Sequence, residues 1–116
     1  MEVNERAEIY RLHAEFCKTL SDANRLLIIT ELSRSELAVN ELTRRLGLQQ
    51  SNVSKHLGLM KEHGLVNSRR EGSTVYYSLS DSRIYEAINL LRSVQSDQLE
   101  KRHMLAGANT EFSIIK

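Results

Sequence analysis

The 116-residue chain has no proline and a single cysteine, Cys17. Without proline, helix ends have to be read from capping side chains and glycines. A lone cysteine excludes an intramolecular disulfide framework and agrees with a reducing compartment. Long apolar runs are also lacking: none approaches the roughly 20 residues that span a bilayer as a helix. Cations are missing from the extreme N-terminus, where Glu2, Glu5 and Glu8 stand in place of the basic start and apolar core of an export signal. The expectation is a cytoplasmic chain with no membrane partner. Net charge is low at +1, yet unevenly placed. Residues 44 to 79 carry six cations against two anions, a net +4, whereas residues 1 to 33 carry four cations against six anions, a net −2. Cations gathered on one segment suit a polyanionic partner, although a mixed-charge solvated face looks similar.

The length gives one ordinary domain with marginal burial as a monomer. Residues 1–106 read as that domain and 107–116 as a short tail, whose Phe112, Ile114 and Ile115 dock or fray. The first helix is expected over about 4 to 20. On a helical wheel Ile9, Leu12, Phe16 and Leu20 form one stripe, expected to face the domain's own core. Val3, Ala7, Tyr10, Ala14 and Cys17 form a second, with the 4, 3, 4, 3 spacing of a helix lying along another helix. Two apolar faces on a terminal helix need two partners, and the second is expected to be another copy of the chain. Ser21 or Asp22 caps the next helix, about 22 to 33, with Leu26, Ile29 and Leu32 inward. Arg34 to Glu36 is a polar break. Asp81 or Ser80 caps a last helix over about 81 to 106, roughly 39 Å long, with Ile84, Ala87, Ile88, Leu91 and Val94 as its stripe. It is too long for a small core to cover alone, so it is paired with the spare face of the first helix in a dimer.

Between these ends, Val39 to Leu79 reads as one unit. Leu42, Leu46, Leu48 and Val53 are apolar around Gly47, which suits the left-handed residue closing a short helix and turning the chain. Leu57 continues the buried side of the following helix. On its other side Gln50, Ser51, Ser54, Lys55 and Gly58 follow i, i+1, i+4, i+5, i+8, collecting donors, acceptors and one cation on an exposed face that suits base edges and phosphates. His63-Gly64 ends that helix. Val75, Tyr77 and Leu79 then alternate with Thr74, Tyr76 and Ser78 about a Glu71-Gly72-Ser73 tip, with Arg69 and Arg70 beside it. The fold expected is mainly α with a small β-hairpin, a winged helix-turn-helix in the order α-α-α-α-β-β-α. The residues expected on duplex DNA are Gln50, Ser51, Asn52, Ser54, Lys55, Arg69 and Arg70. Those expected in the dimer are Val3, Ala7, Tyr10, Ala14, Cys17, Ile84, Ile88 and Leu91.

Over residues 14 to 100 the chain resembles the arsenical-resistance repressor (ArsR) type of small dimeric metal-sensing repressors. The resemblance rests on Leu20-Ser21-Asp22-Ala23-Asn24-Arg25, on Ser51-Asn52-Val53-Ser54-Lys55-His56-Leu57, and on Gly64-Leu65-Val66 leading into Arg69-Arg70-Glu71-Gly72 and Val75-Tyr76-Tyr77. It implies a homodimer joined by its first and last helices, with two recognition helices in successive major grooves of a pseudo-palindromic operator. Two positions depart from the pattern: Asn24 replaces a usual proline, and Gln49 replaces a usual Ser or Thr cap, which implies a weaker cap.

The family's familiar metal sites are not intact. Ala38 and Asn40 stand where soft-metal sensors carry a cysteine pair. Asp81 is followed by Arg83 where zinc sensors carry histidine, and His103 stands without its companion. His13 and Cys17, at i and i+4, remain as candidate ligands with His103 as a third, against the alternative that Cys17 is core packing. His56 reads as a hydrogen-bonded core histidine and His63 as a helix-end residue. No cofactor is expected. Three functions follow from these residues. The first is a homodimeric transcriptional regulator, a repressor released by a signal that the residues do not name. The second is a winged-helix protein-interaction module without DNA binding. An enzyme using Cys17 and His13 is the third, and an apolar helix seam offers it neither cleft nor oxyanion donors.

Overall fold

Asp22 starts the second helix in the way its side chain allows: Oδ1 accepts the backbone N–H groups of Asn24 and Arg25 at 2.9 and 3.1 Å. A proline at position 24 has no such N–H, so Asn24 adds a capping hydrogen bond that the family's usual residue cannot make. The computed structural model describes residues 2–105. Its elements are α1 (Val3–Leu20), α2 (Ala23–Leu32), β1 (Leu37–Ala38), α3 (Val39–Leu46), α4 (Gln50–Glu62), β2 (Val66–Glu71), β3 (Thr74–Leu79) and α5 (Arg83–Leu105). The chain divides into two compact units, the first running to Tyr85 and the second starting at Glu86. The tail residues Phe112, Ile114 and Ile115 lie outside the described residues.

In the first unit, Ile28 and Ile29 of α2, Leu42 of α3, Val53, Leu57 and Met60 of α4, and Leu65 are all 0% exposed. At about 25 cal/mol per Å² of apolar surface, each such side chain contributes on the order of 2 kcal/mol. This cluster fixes the angle between α3 and α4. Gly47 makes the turn between them at φ 67°, its N–H donating to the Thr43 carbonyl at 2.9 Å. Gly64, at φ 79°, closes α4: its N–H reaches the Lys61 carbonyl and the Leu65 N–H reaches that of Met60 at 2.8 Å, the paired bonds of a Schellman cap.

The sheet has three antiparallel strands in the order β1-β3-β2. β1 is the departure from the expected element order. Leu37 pairs with Tyr77 and Ala38 with Tyr76, so the hairpin's second strand is central. For that reason β3 does not alternate between buried and exposed, and all six of its residues are half-buried. In α2, Ile28 is buried and Leu26 only half-buried, so the inward face is rotated from the expected stripe.

The expected inward stripe of α1 is corrected too. Ile9, Leu12 and Phe16 are 47, 50 and 37% exposed, and only Thr19 of the whole helix is buried. An 18-residue helix extends about 27 Å, and its one buried residue lies in its C-terminal turn. Cys17 is exposed on α1.

The N-terminus of α5 is set by Asp81, whose Oδ1 accepts the Arg83 N–H at 2.9 Å. The Arg83 guanidinium also binds that carboxylate, and its hydrogen bonds hold the Asp81 pKa at about 2. The rest of α5 forms the described part of the second unit and has no buried residue.

Candidate nucleic-acid interface

The buried row Val53, Leu57 and Met60 determines which face α4 leaves to solvent. Gln50, Ser51, Ser54, Lys55 and Gly58 are all exposed, one turn apart along a single side. Asn52 is half-buried on the flank that faces the start of α2, where it lines a groove of about 550 Å³ with Asp22, Arg25 and His56. Gln49 occupies the helix cap without a side-chain hydrogen bond, as expected of a residue whose amide lies too far out to cap well.

The hairpin beside α4 pairs Glu71 with Thr74 across a Gly72-Ser73 tip. Arg69 and Arg70 are neighbours on β2 and therefore point to opposite faces, opposite Tyr76 and Val75 respectively. Their surroundings differ sharply. The Arg69 guanidinium donates to Glu36 Oε1 at 2.7 Å and Oε2 at 3.1 Å, and to Glu71 Oε1 at 3.1 Å. It also lies 5.0 Å from the Tyr76 ring centroid. These hydrogen bonds, from Glu36 first, raise its pKa further and hold the Glu36 carboxyl below the usual range. Arg70 is exposed and has no ion pair among the described residues. Arg69 is thus strapped to the loop before β1, while Arg70 is the wing's available cation. Sequence spacing makes the two look alike, because Glu36 lies 33 residues from Arg69 and nothing in either segment announces the other.

Of the remaining candidates, Cys17 Sγ and His13 Nε2 meet at 3.6 Å on exposed α1. Among the described residues no group of three or more His, Cys, Asp or Glu side chains could hold a metal ion. Ala38 is buried and Asn40 exposed, and His103 belongs to the separately described α5. His63 caps the end of α4. His56 is hydrogen-bonded, as expected, and its partner is Arg25 at 3.2 Å. On α1, Val3, Ala7, Tyr10, Ala14 and Cys17 are all exposed, with Val3 at 80%. On α5, Ile84 and Ile88 are half-buried and Leu91 is 70% exposed.

Residues 22–68 match the model of the bacterial regulatory protein, arsR family. Nodulation protein NolR of Rhizobium meliloti is 32% identical over 83% of this chain and 79% of its own length. The chain belongs to the arsR family. The transcriptional activator HlyU of Vibrio cholerae, 43% identical over 64% of this chain and 68% of its own length, is a further relative. Among solved structures, the homodimeric winged helix-turn-helix DNA-binding domain from Mycobacterium bovis superposes with a TM-score of 0.77 at 28% identity, covering 88% of this chain and 94% of that one. The fold is therefore a winged helix-turn-helix with α4 in the position of the recognition helix and β2–β3 as the wing. ArsR-family chains are transcriptional regulators, not enzymes. No helix among the described residues is long and apolar enough to cross a membrane.

Proposed function

We propose that this chain is a homodimeric, cytoplasmic transcriptional repressor that reads a pseudo-palindromic operator, without catalytic activity of its own. The observation that carries the reading is the pairing of a polar exposed face on α4, Gln50, Ser51, Ser54 and Lys55, with a wing whose Arg70 has no partner among the described residues. Hydroxyls and amides on the helix suit base edges in a major groove, and the cations at Lys55 and Arg70 suit phosphates. Arg69 supports the wing from behind. Asn52, half-buried on the flank of α4, stays among the residues proposed to contact DNA.

Exposed apolar residues on α1 and α5 supply the dimer contact. Val3, Tyr10, Leu91 and Leu90 are 80, 64, 70 and 65% exposed, apolar surface that a second copy would cover. Residues 1–106 act as one DNA-binding and dimerisation domain. Repression follows if the dimer covers promoter DNA. HlyU carries the name of an activator, so the direction of control is itself an experimental variable.

The test is selection of duplexes from a random pool by the purified protein, followed by binding assays on the DNA recovered and a promoter reporter. Repression from a site with two-fold symmetry supports the reading. Failure to enrich any duplex would leave the protein-interaction alternative standing.

A further inference from the structure

α1 is attached to its unit at one end only. Thr19 is its single buried residue and Leu20 is half-buried, both in the last turn. Whatever sets the direction of this helix relative to the winged core must act at that junction. One side chain spans it. Arg25, in the first turn of α2, donates from Nε to the Thr19 carbonyl at 2.5 Å and from Nη1 to His56 Nδ1 on α4 at 3.2 Å. A guanidinium has no acceptor, so Nδ1 of His56 must be unprotonated and the ring proton of the neutral imidazole sits on Nε2. That nitrogen faces Asp22 Oδ1 at 3.8 Å, the atom that also caps α2. The His56 side chain is only 12% exposed.

We propose that Arg25 and His56 form a strut that sets the angle between α1 and the recognition helix, making both of them positioning residues for operator binding. The contact part of the proposal stands on the geometry alone, and its effect on DNA rests on the homodimeric reading above. Leverage makes the angle matter. Over the roughly 27 Å of α1, a change of about 10° at the junction moves the far end by about 5 Å. Two recognition helices that must enter grooves about 34 Å apart cannot absorb such an error without giving up hydrogen bonds to the bases. The chemistry of the strut also explains the residue type. Two acceptors on different helices need two donors held apart in a rigid plane, which arginine has and lysine lacks. Asp22, Asn52, Lys55 and Leu59 line a groove beside Arg25 and His56.

The test uses the full-length protein and has two arms. In the first, Arg25→Ala, His56→Ala and the double variant are titrated against the selected operator and a random duplex over a salt series. Each single variant is expected to weaken operator binding about tenfold, with the double variant within about twofold of the weaker single, since residues acting as one unit are non-additive. Random-duplex affinity and the salt slope stay unchanged. His56→Asn, which returns an acceptor near the Nδ1 position, recovers most of the loss, and Arg25→Lys does not.

The second arm needs no DNA. Nitroxides on Arg6→Cys and Lys61→Cys in a Cys17→Ser background, diluted into unlabelled protein so that only intrachain distances are read, report the angle between α1 and α4. The distribution broadens or shifts in both alanine variants if the strut holds that angle. An unchanged distribution overturns the proposal. So does a double variant whose loss is the product of the single losses, or a His56→Ala loss with Arg25→Ala silent, which would mark His56 as a direct DNA contact. If the unmutated protein binds no duplex, the proposed function fails while the distance measurement still decides the strut.

Discussion

Removing Arg70 should change how DNA binding depends on salt, and removing Arg69 should not. Every phosphate that a variant no longer neutralises lowers the slope of log affinity against log salt by about 0.9. With one Arg70 on each wing of a dimer, Arg70→Ala should lower the slope by about 1.8. Between 50 and 200 mM salt, that makes the variant's affinity fall about 12-fold less than the unmutated protein's. Arg69 is already held by Glu36 at 2.7 Å and Glu71 at 3.1 Å, so it has little charge left to offer a phosphate. Arg69→Gln keeps a donor for Glu36 and should shift the slope by less than half as much as Arg70→Ala does. Fluorescence anisotropy with one labelled duplex at four or five salt concentrations measures both slopes. A larger slope change for Arg69→Gln than for Arg70→Ala would refute the assignment of roles on the wing.

Ser54→Ala should cost about 1–3 kcal/mol on the selected operator and little on random DNA; equal losses on both would remove Ser54 from base reading. Ala14→Glu places a carboxylate in the exposed seam of α1 and should give monomer by light scattering, because in a dimer that charge would be buried unpaired. A fully dimeric variant contradicts the interface. Leu57→Ala, at a position 0% exposed, should lose about 2–5 kcal/mol in denaturant unfolding, the usual range for a core leucine. Hydrogen bonding to Arg69 depresses the Glu36 pKa, so its stabilising contribution is present above the ordinary glutamate range and is lost as pH falls through the depressed value. Glu36→Gln should therefore be less stable than the unmutated protein near neutrality and indistinguishable from it in strong acid, and a gap that widened on acidification would reverse the sign of the argument.

The local features of the fold were legible in the residues. Gly47 and Gly64 marked the helix ends where positive φ is needed, the i, i+4 spacing of Val53 and Leu57 marked the buried side of α4, and Gly72 marked the hairpin tip. Non-local pairings were not legible. β1 consists of Leu37 and Ala38, too short to show a period, and it exists because Tyr76 and Tyr77, far along the chain, lie beside it. Ile28 is buried where Leu26 was expected inward, because the partner helix and strand, not the spacing within α2, decide the rotation. The Arg25–His56 and Arg69–Glu36 pairs join residues 31 and 33 positions apart. No spacing rule reaches that far, and both pairs rest on ordinary charged and polar residue types. The apolar stripes of α1 were visible, but which of them the chain covers by itself depends on helix length against core size.

The order of the strands has a consequence for solubility. With β3 in the middle and β1 only two residues long, β2 is an outer strand with a row of backbone donors and acceptors facing away from the sheet. Such a row is a template for a second strand, and charged side chains along it are a common safeguard. Arg69, Arg70 and Glu71 occupy the exposed end of β2, with Asn67 exposed nearer its start. These charges, of which only Arg70 is proposed to meet DNA, also keep two wings from zipping together. A protein stripped of these residues to abolish DNA binding would lose that guard, and loss of activity in such a variant has to be separated from self-association at the open strand.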